Sequence, residues 1–318
     1  MTSALPVAGA GFSRAPGARF LAVVNPAAGG GRCGRMAPVA LKKLRDAGIA
    51  IEVRETRTPG EGAAIAREAY AAGYRTFLAV GGDGTSFEIV NGVFPEALTH
   101  GRVTLGFLPL GTGNSFLRDF VSAGTNQVEY ALEAIGAART CACDVLRLTH
   151  AGGTLYFINL LSMGFAADVA ALVSRRFKGF GELGYLLGVL TGLARLRRRA
   201  FPVRLDDAAD FDRRRCLFLS FNNSKFTGGK MMIAPMAETS SGMVEYVRWG
   251  PIGRAGLVWN LHTLYDGTHL NHPLAERHAA RRTEFSLEAP VDVMIDGEVM
   301  TLDCRSIDVL PRALDVLV

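Results

Sequence analysis

Short apolar runs alternate with amphipathic stretches through the first half of the chain. Four of these runs are predicted as strands, at Phe20–Val24, Ile49–Arg54, Thr76–Val80 and Val103–Leu108. Helices are predicted between or after them, at about Met36–Ala47, Gly62–Ala72 and Ser115–Phe120. Short strands separated by helices are typical of a parallel sheet with right-handed crossovers. We therefore predict an α/β domain.

The pattern changes after Asp144, where strand-like runs follow one another with turn residues between them. These runs lie at Leu146–Thr149, Thr154–Leu160, Val203–Leu205, Cys216–Asn222, Val244–Arg248, Glu284–Leu287 and Val291–Ile295. One helical segment interrupts them at about Gly184–Leu196. This spacing favours a second, β-rich domain. We predict domains at residues 19–143 and 144–304, and leave open that residues 305–318, with the strand-like stretch Ser306–Leu310, return to the first domain.

Three loops rich in glycine, asparagine and threonine each follow a predicted strand: NPAAGGGR, GGDGTSF and PLGTGNSF. Because the carboxyl ends of parallel strands lie at one edge of a sheet, we expect the three loops to converge there. Glycines let the main chain approach a ligand closely, and the N–H groups that open a helix favour an anion. Asp83, inside the second loop, would repel a phosphate unless a metal ion or water lies between them. The loops therefore predict a metal–nucleotide site.

Composition limits the class of protein without naming it. The chain has 318 residues, 49% of them hydrophobic, and a formal net charge of +5, which permits contact with anionic lipid or nucleic acid but requires neither. Five cysteines in no framework spacing suggest reduced thiols, and the Cys141–Cys143 pair lacks partners for a zinc site. The opening residues do not have a secretory signal, and no apolar run is long enough to span a bilayer. We expect a cytoplasmic protein.

With these motifs in view, the chain resembles the soluble diacylglycerol-kinase-type lipid kinases, a group that includes bacterial lipid kinases and the sphingosine and ceramide kinases. The resemblance runs from Phe20 to Val318. It rests on NPxxG at Asn25–Gly29, GGDGT at Gly81–Thr85, PLGTGNxF at Pro109–Phe116, SMGFAADV at Ser162–Val169, GELGY at Gly181–Tyr185, GGKMMIAP at Gly228–Pro235 and DGE at Asp296–Glu298. GGDGT alone also suits a NAD kinase or a phosphofructokinase, whereas PLGTGNSFLRD with a late DGE is more specific.

The resemblance implies a NAD-kinase-like, Rossmann-type α/β domain followed by a β-sandwich, with the lipid entering the cleft between them. It implies that ATP binds at Asn25, Pro26, Gly29, Thr56, Gly81, Gly82, Asp83, Gly84, Thr85, Gly111, Thr112, Gly113 and Asn114. Asp83 would lie beside the phosphates and Mg²⁺. Glu298, with Asp296 nearby, would act as or assist the base that takes the proton from the lipid hydroxyl.

The DGE segment can also be considered without the resemblance. Asp296 and Glu298 lie two residues apart, so on an extended segment both would point to one face, while Gly297 would allow a tight turn. A plain acidic hairpin turn is the alternative. Phosphoryl transfer needs positioned donors and charge neutralisation, and an alcohol nucleophile gains from a carboxylate within hydrogen-bond reach.

One position departs from the family pattern. The family carries an acidic residue before a glycine after the GG…AP stretch, as part of a structural magnesium site that links the domains, and Ser241 stands there in this chain. Serine is a poor magnesium ligand compared with a carboxylate. Glu238 or Glu245 could compensate, or main-chain oxygens and water could complete the shell. The candidate metal ligands are therefore Asp83, Glu238, Ser241 and Met243.

The segment Arg175–Arg199 has basic ends around an apolar middle that is too short to span a bilayer. It suits shallow contact with anionic headgroups, and an ordinary core helix with solvated ends is the alternative. We expect a lipid substrate taken at a membrane surface, the inner face being the candidate, and no nucleic acid partner; peripheral membrane contact and a homodimer stay open. The rival interpretations are a NAD kinase and a non-catalytic nucleotide- or lipid-binding regulator.

Overall fold

The computed structural model describes residues 19–173 and 191–318. The GELGY motif, most of the basic segment Arg175–Arg199 and most of the helix predicted at Gly184–Leu196 lie outside the described residues. None of the helices within the two described ranges combines the length and the apolar character needed to cross a bilayer.

The first part of the chain is a parallel α/β unit. Its elements are β1 (Phe20–Val24), α1 (Arg32–Asp46), β2 (Ile51–Glu55), α2 (Glu61–Ala71), β3 (Thr76–Gly81), α3 (Asp83–Val93), β4 (Thr104–Pro109) and α4 (Gln127–Ala137). The strands pair in the order β2-β1-β3-β4, all in parallel. Apolar side chains of the strands and helices form one core between the layers. The predicted α/β class is confirmed.

Two details differ from the sequence-based expectation. The helix predicted at about Ser115–Phe120 is a short 3₁₀ turn at Phe116–Asp119. Helix α4 was not predicted, although Asn126 caps it by accepting a hydrogen bond from the N–H of Val128 at 2.9 Å, which is a common way to satisfy the free amides of a first turn.

The second part of the chain is β-rich. Its elements are β5 (Thr140–His150), β6 (Gly153–Phe157), β7 (Leu160–Gly164), α5 (Phe165–Leu172), β8 (Arg199–Ala200), β9 (Val203–Leu205), β10 (Arg215–Cys216), β11 (Phe218–Asn222), β12 (Phe226–Thr227), β13 (Met231–Met232), β14 (Val244–Trp249), α6 (Arg254–Asn260), α7 (Thr263–Asp266), β15 (Ala275–Ala280), β16 (Arg282–Phe285), β17 (Val291–Ile295), β18 (Glu298–Leu302) and β19 (Cys304–Leu317).

Two sheets pack face to face in this part. An antiparallel sheet in the order β15-β14-β11-β7-β17-β18 covers the half of the first sheet that contains β5, β6, β9, β16 and β19. The core between them contains Phe157, Phe221 and Phe285, and the Phe221 and Phe285 rings meet edge to face at 5.2 Å. Alternation along each strand puts one set of side chains in this core and the other set outside. The β-sandwich is confirmed.

Strand β19 belongs to both parts of the molecule. Its end runs parallel to β4, with Asp315 opposite Thr104, while its beginning pairs antiparallel with β16 and with β5. The pairing with β5 shifts register between Leu310 and Leu314. One nine-stranded sheet therefore extends from the parallel unit into the sandwich.

Candidate active site

The three glycine loops meet at the carboxyl edge of the parallel strands. The N–H of Gly111 donates to the carbonyl of Gly81 at 2.6 Å, and a Cβ on Gly111 would lie 2.5 Å from the Cα of Gly82. Arg32 donates through Nε and Nη2 to the carbonyls of Leu110 and Gly111, at 3.2 and 2.7 Å. Backbones this close leave no room for side chains, which explains glycine at these positions.

Asp83 joins the second loop to the third. Both of its carboxylate oxygens accept a hydrogen bond from the N–H of Ser115 at 2.9 Å, and Oδ1 also accepts one from the N–H of Phe116 at 3.5 Å. Burial raises the pKa of the Asp83 carboxyl. These bonds satisfy the N–H groups at the start of the 3₁₀ turn, which have no acceptor within the turn itself.

The other residues predicted to bind ATP lie at or near the same edge of the sheet. Asn114 adopts φ 46° and donates through Nδ2 to the carbonyl of Gly111 at 2.8 Å. Gly29 has φ 61°, and a Cβ there would lie 2.8 Å from the carbonyl oxygen of Leu110. The N–H of Asn25 donates to Val80 at 3.0 Å, and the N–H of Thr56 to Val24 at 2.8 Å. The adjoining predicted positions are Pro26, Gly82, Thr112 and Gly113.

Thr85 differs from these neighbours because its hydroxyl is not committed. The side chain is buried, and Oγ1 has no hydrogen-bond partner within the described ranges. A Cβ on Gly81 would collide with this oxygen. A buried hydroxyl without a partner is costly, and a ligand oxygen could satisfy it.

The DGE motif is the turn of the β17–β18 hairpin. Asp296 and Gly297 have φ 47° and 88°, the two positive angles of a type I′ turn. The Asp296 carboxylate accepts hydrogen bonds from the N–H groups of Ile158, Asn159 and Leu160, at 2.9, 3.0 and 2.9 Å. Burial raises the pKa of Asp296 to about 7, and the nearby negative charge of Asp83 adds to the rise. Asp296 therefore fixes the turn on the sandwich.

Glu298 lies on the glycine loop. Its side chain is exposed, and its Oε1 occupies the space that a Cβ on Gly84 would fill. A Cβ on Gly297 would lie 3.9 Å from the Cβ of Asp83. The two acidic residues of the DGE turn thus have different neighbours, residues 158–160 and Gly84, unlike the shared face expected for an extended segment. The DGE segment is therefore a hairpin turn, which was the alternative interpretation of the sequence, and this turn lies against the second glycine loop, GGDGTSF.

The Ser241 hydroxyl, one of the candidate magnesium ligands, forms hydrogen bonds within its own turn. The Ser241 hydroxyl donates to the carbonyl of Glu238 at 3.1 Å and accepts from the N–H of Met243 at 3.2 Å. Across the described ranges, no group of three or more His, Cys, Asp or Glu side chains could hold a metal ion. The hydroxyl therefore closes a local turn.

Asp144 links β5 to the segments around Gly242 and Arg312. Its buried carboxylate accepts hydrogen bonds from the N–H groups of Gly242 and Arg312, both at 2.6 Å. Its own N–H donates to the carbonyl of Thr239 at 2.6 Å. One carboxylate thus ties β5, the loop before β14 and the bend in β19 together.

Two further contacts across the cleft were missed from the sequence. The Asp119 carboxylate accepts from the N–H of Lys225 at 3.0 and 3.1 Å, and burial raises the pKa of Asp119 to about 6. The hydroxyl of Ser115 accepts from the N–H of Gly229 at 2.9 Å. Both acceptors lie in the third glycine loop or just after it, so the PLGTGNSF motif was the sequence signal for them. Their partners are main-chain N–H groups, which a sequence does not identify.

An apolar cavity of about 180 Å³ adjoins the site. It lies between the outer face of the six-stranded sheet and the helices α5, α6 and α7. Its lining includes Phe165, Phe218, Ile233, Trp249, Leu257 and Leu264. Leu160 and Gly228 also line the cavity. The N–H of Leu160 donates to the Asp296 carboxylate, and Gly228 is followed by Gly229, whose N–H donates to the hydroxyl of Ser115. The cavity therefore begins within one residue of the cleft.

Comparison with known proteins agrees with this arrangement. Residues 19–148 match the diacylglycerol kinase catalytic domain, and residues 159–318 match the YegS C-terminal NAD kinase beta sandwich-like domain. A protein of Pseudomonas aeruginosa PAO1 named "Probable lipid kinase YegS-like" is 33% identical over 281 residues, 87% of each chain. A "Diacylglycerol kinase" of Mycobacterium tuberculosis H37Rv is 26% identical over 301 residues, 94% of each chain.

Solved structures show the same fold. The crystal structure of a diacylglycerol kinase from Bacillus anthracis str. Sterne superimposes with a TM-score of 0.66 at 18% identity, covering 94% of this chain and 96% of that one. The two family domains follow one another along the chain in the same order as the two parts of the fold. The chain belongs to the diacylglycerol-kinase-type family of lipid kinases.

Proposed function

We propose that this enzyme transfers the γ-phosphoryl group of ATP to the hydroxyl of a membrane-derived lipid, diacylglycerol or a sphingoid-type lipid. The observation that carries the proposal is the position of Glu298. Its carboxylate lies directly on Gly84, in the loop where the phosphates are expected. A carboxylate at the edge of a phosphate site is suited to activating a lipid alcohol, and the turn that carries Glu298 is anchored at Leu160, which lines the apolar cavity.

The triphosphate is proposed to lie over the converged loops. Donors there are the main-chain N–H groups at the start of α3 and the hydroxyl of Thr85, which has no partner among residues 19–173 and 191–318. Gly111 and Gly82 bring the two backbones together, so the phosphates meet no side chain at that point. Positioning and charge neutralisation of this kind supply most of the catalysis of phosphoryl transfer.

Asp83 and Asp296 are proposed to hold Mg²⁺ with oxygens of the nucleotide. They are buried carboxylates, and Asp83 lies close enough for its charge to raise the pKa of Asp296. Magnesium is usually bound by one or two carboxylates together with phosphate oxygens and water, so this pair fits its demands. When bound, the ion would neutralise charge that develops on the phosphate oxygens.

In the proposed reaction, Glu298 takes the proton of the lipid hydroxyl. The hydroxyl oxygen then forms a bond to the γ-phosphorus while the bond from that phosphorus to the bridging oxygen breaks, and ADP leaves with that oxygen. Asp296 does not touch the lipid; it anchors the turn that carries Glu298. The cavity would hold an acyl or sphingoid chain, which argues against the water-soluble acceptor of a NAD kinase.

Radiolabelled ATP tests the proposal when it is supplied with vesicles that contain diacylglycerol or sphingosine, or with NAD alone. We expect a labelled lipid and no labelled NAD. Glu298→Gln should lower the rate by about 10²–10⁴-fold with ATP binding intact, the usual range for loss of a general base. Glu288→Gln, at another exposed glutamate, is the matched control. An unchanged rate in Glu298→Gln would refute the assigned role, and ATP binding without any labelled acceptor would favour a regulator.

A further inference from the structure

The apolar cavity opens at the helices α6 and α7. Leu261 and Tyr265 line the cavity, yet they are 37% and 54% exposed at the surface. Residues that both line a cavity and reach solvent mark its mouth. Leu257 and Leu264, on the inward side of the same helices, are buried.

The rim of this mouth carries further apolar side chains that face solvent. Trp259 is 81% exposed and Val258 58%. Val258 lies in α6, Leu261 in the turn that follows it and Tyr265 in α7, so exposed apolar side chains come from both helices and from the turn between them. Apolar side chains are clustered here rather than scattered, and such clusters mark interaction sites.

Basic side chains border the same helices. Arg195, Arg197 and Arg198 are exposed and form no ion pair with any residue in the described ranges, whereas Arg199 is paired with Asp168. Arg254, at the start of α6, donates to the carbonyls of Leu193 and Ala194 at 3.0 and 2.8 Å, which holds the arginine segment against α6.

The arginines therefore lie near the helices that form the mouth. A Cβ on Gly253, the residue before α6, would lie 3.6 Å from Nη2 of Arg198. Asp266 is the acidic residue of α7, and it is engaged by the N–H and hydroxyl of Thr268 at 2.9 and 2.6 Å. Asp168 and Asp292 line a neighbouring pocket together with Arg195 and Arg197, and the arginines described at this border outnumber these carboxylates.

We propose that Val258, Trp259, Leu261 and Tyr265, with Arg195, Arg197 and Arg198, form a docking surface for an anionic lipid bilayer. The apolar side chains enter the headgroup region, and the arginines meet the anionic headgroups. Docked in this way, the protein presents the mouth of its apolar cavity to the lipid phase. The purpose of that orientation, delivery of a lipid hydroxyl to Glu298, rests on the proposed function; the bilayer contact does not.

The charge pattern favours a bilayer over a second copy of this chain. A symmetric dimer places the same patch of both subunits face to face. Here that arrangement would bring the arginines of one copy near those of the other. An anionic membrane instead offers complementary charge and an apolar interior to the same surface.

The chain contains two tryptophans, and the structure makes them useful probes. Trp249 is buried in the wall of the cavity, where a lipid chain could also reach it, so the emission is recorded from the Trp249→Phe variant, in which Trp259 would pass from water into lipid. With phosphatidylglycerol-containing vesicles, we expect a blue shift of the tryptophan emission and quenching by brominated acyl chains. Phosphatidylcholine vesicles should give much weaker binding, and high salt should weaken binding to the anionic vesicles.

Variants of the full chain make the test specific. Trp259→Ala combined with Val258→Ser should weaken sedimentation with anionic vesicles by about tenfold or more, from the lost apolar burial. Arg197→Ser and Arg198→Ser should each weaken it about fivefold. Val39→Ser, at an exposed apolar residue of α1, is the matched control and should bind like the native chain.

The outcomes separate this surface from the proposed reaction. Native-like vesicle binding by the Trp259 double variant, or equal binding to neutral and anionic vesicles, would overturn the surface. So would a patch variant that changes only the oligomeric state in sedimentation velocity. A native chain that docks but phosphorylates no lipid would leave the surface standing and refute the proposed function. With a short-chain lipid dissolved below its micellar concentration, the double variant should retain the native rate.

Discussion

Gly84→Ala is the sharpest test of the catalytic geometry. Gly84 lies in the first turn of α3, and Oε1 of Glu298 occupies the place of the added methyl group. The φ angle of Gly84 is not in the left-handed region, so the helix accepts alanine without strain. Replacing glycine by alanine within a helix stabilises it by about 0.5–1 kcal/mol. We therefore expect a protein at least as stable as the native chain.

The rate should fall although the fold is intact. The methyl group forces the carboxylate of Glu298 away from the glycine loop, and a misplacement of about 1 Å in a reacting group is enough to lower the rate by about 10²-fold. The assay is transfer of labelled phosphate to diacylglycerol in vesicles, with thermal unfolding measured on the same preparation. A native rate together with a native melting curve would show that Glu298 does not act from this position.

Three further variants give the control series. Gly136→Ala makes the same change in α4, where a Cβ meets nothing within 4 Å, and should leave the rate unchanged. Gly92→Ala brings a Cβ onto the carbonyl oxygen of Ala63 and should lower the melting temperature instead. Adding Glu298→Asp to Gly84→Ala shortens the acid by one methylene group and should recover part of the rate.

The other predictions concern three buried polar groups, Asp296, Asp144 and Thr85. Asp296→Ala leaves three N–H groups without an acceptor and should lower the free energy of unfolding by about 3 kcal/mol in urea; a loss below about 0.5 kcal/mol would contradict the anchoring role. Burial raises the pKa of Asp296 to about 7 in the folded chain, whereas an unfolded aspartate has a pKa of about 4, so the folded chain keeps a proton between roughly pH 4 and 7 that the unfolded chain loses. The free energy of unfolding should therefore fall as the pH rises through that window, and Asp296→Asn should make this fall smaller. Asp144→Ala should cost about 2–4 kcal/mol by freeing the N–H groups of Gly242 and Arg312, whereas a chelator should not change the native melting temperature; a chelator-induced drop would show that a metal supports the junction. Thr85→Val should leave stability unchanged or slightly higher and raise the KM for ATP, since the hydroxyl lacks a partner in the described chain; an unchanged KM would remove Thr85 from the nucleotide site.

Much of the fold was predictable because local patterns agree with the tertiary structure. Strand β1 has the predicted ends, and the glycine loops meet because parallel strands end at one edge. The length of β5 was not predictable: only Leu146–Thr149 reads as a strand, while the pairing with β19 extends it over Thr140–His150. Pairing with a strand that is distant in sequence sets the length of β5, and the local sequence pattern carries no information about that pairing.

The candidate site shows the same division. Glu298 and Asp83 could be chosen as candidate site residues because their motifs are local, and the structure places Glu298 against the loop that contains Asp83. The anchors Asp119 and Asp144 bind main-chain N–H groups from distant segments, and any residue except proline can supply such a group. The cavity has no motif either, since its lining comes from two helices, several strands and the segment near Gly228, each contributing ordinary apolar residues.

The shared strand β19 restricts how the two halves of the enzyme can move. Strand β19 pairs with β4 of the first half at its end and with β16 of the second half at its beginning, and β5 pairs with it along both stretches. Wide opening between the halves is therefore opposed by main-chain hydrogen bonds, including the ladder of β19 with β5. The ladder is interrupted between Leu310 and Leu314, where Arg312 has φ 51° and is held by Asp144. Bending during turnover should therefore be small and occur mainly at this interruption. We expect the lipid chain to enter from the side of the molecule, without a wide opening of the cleft.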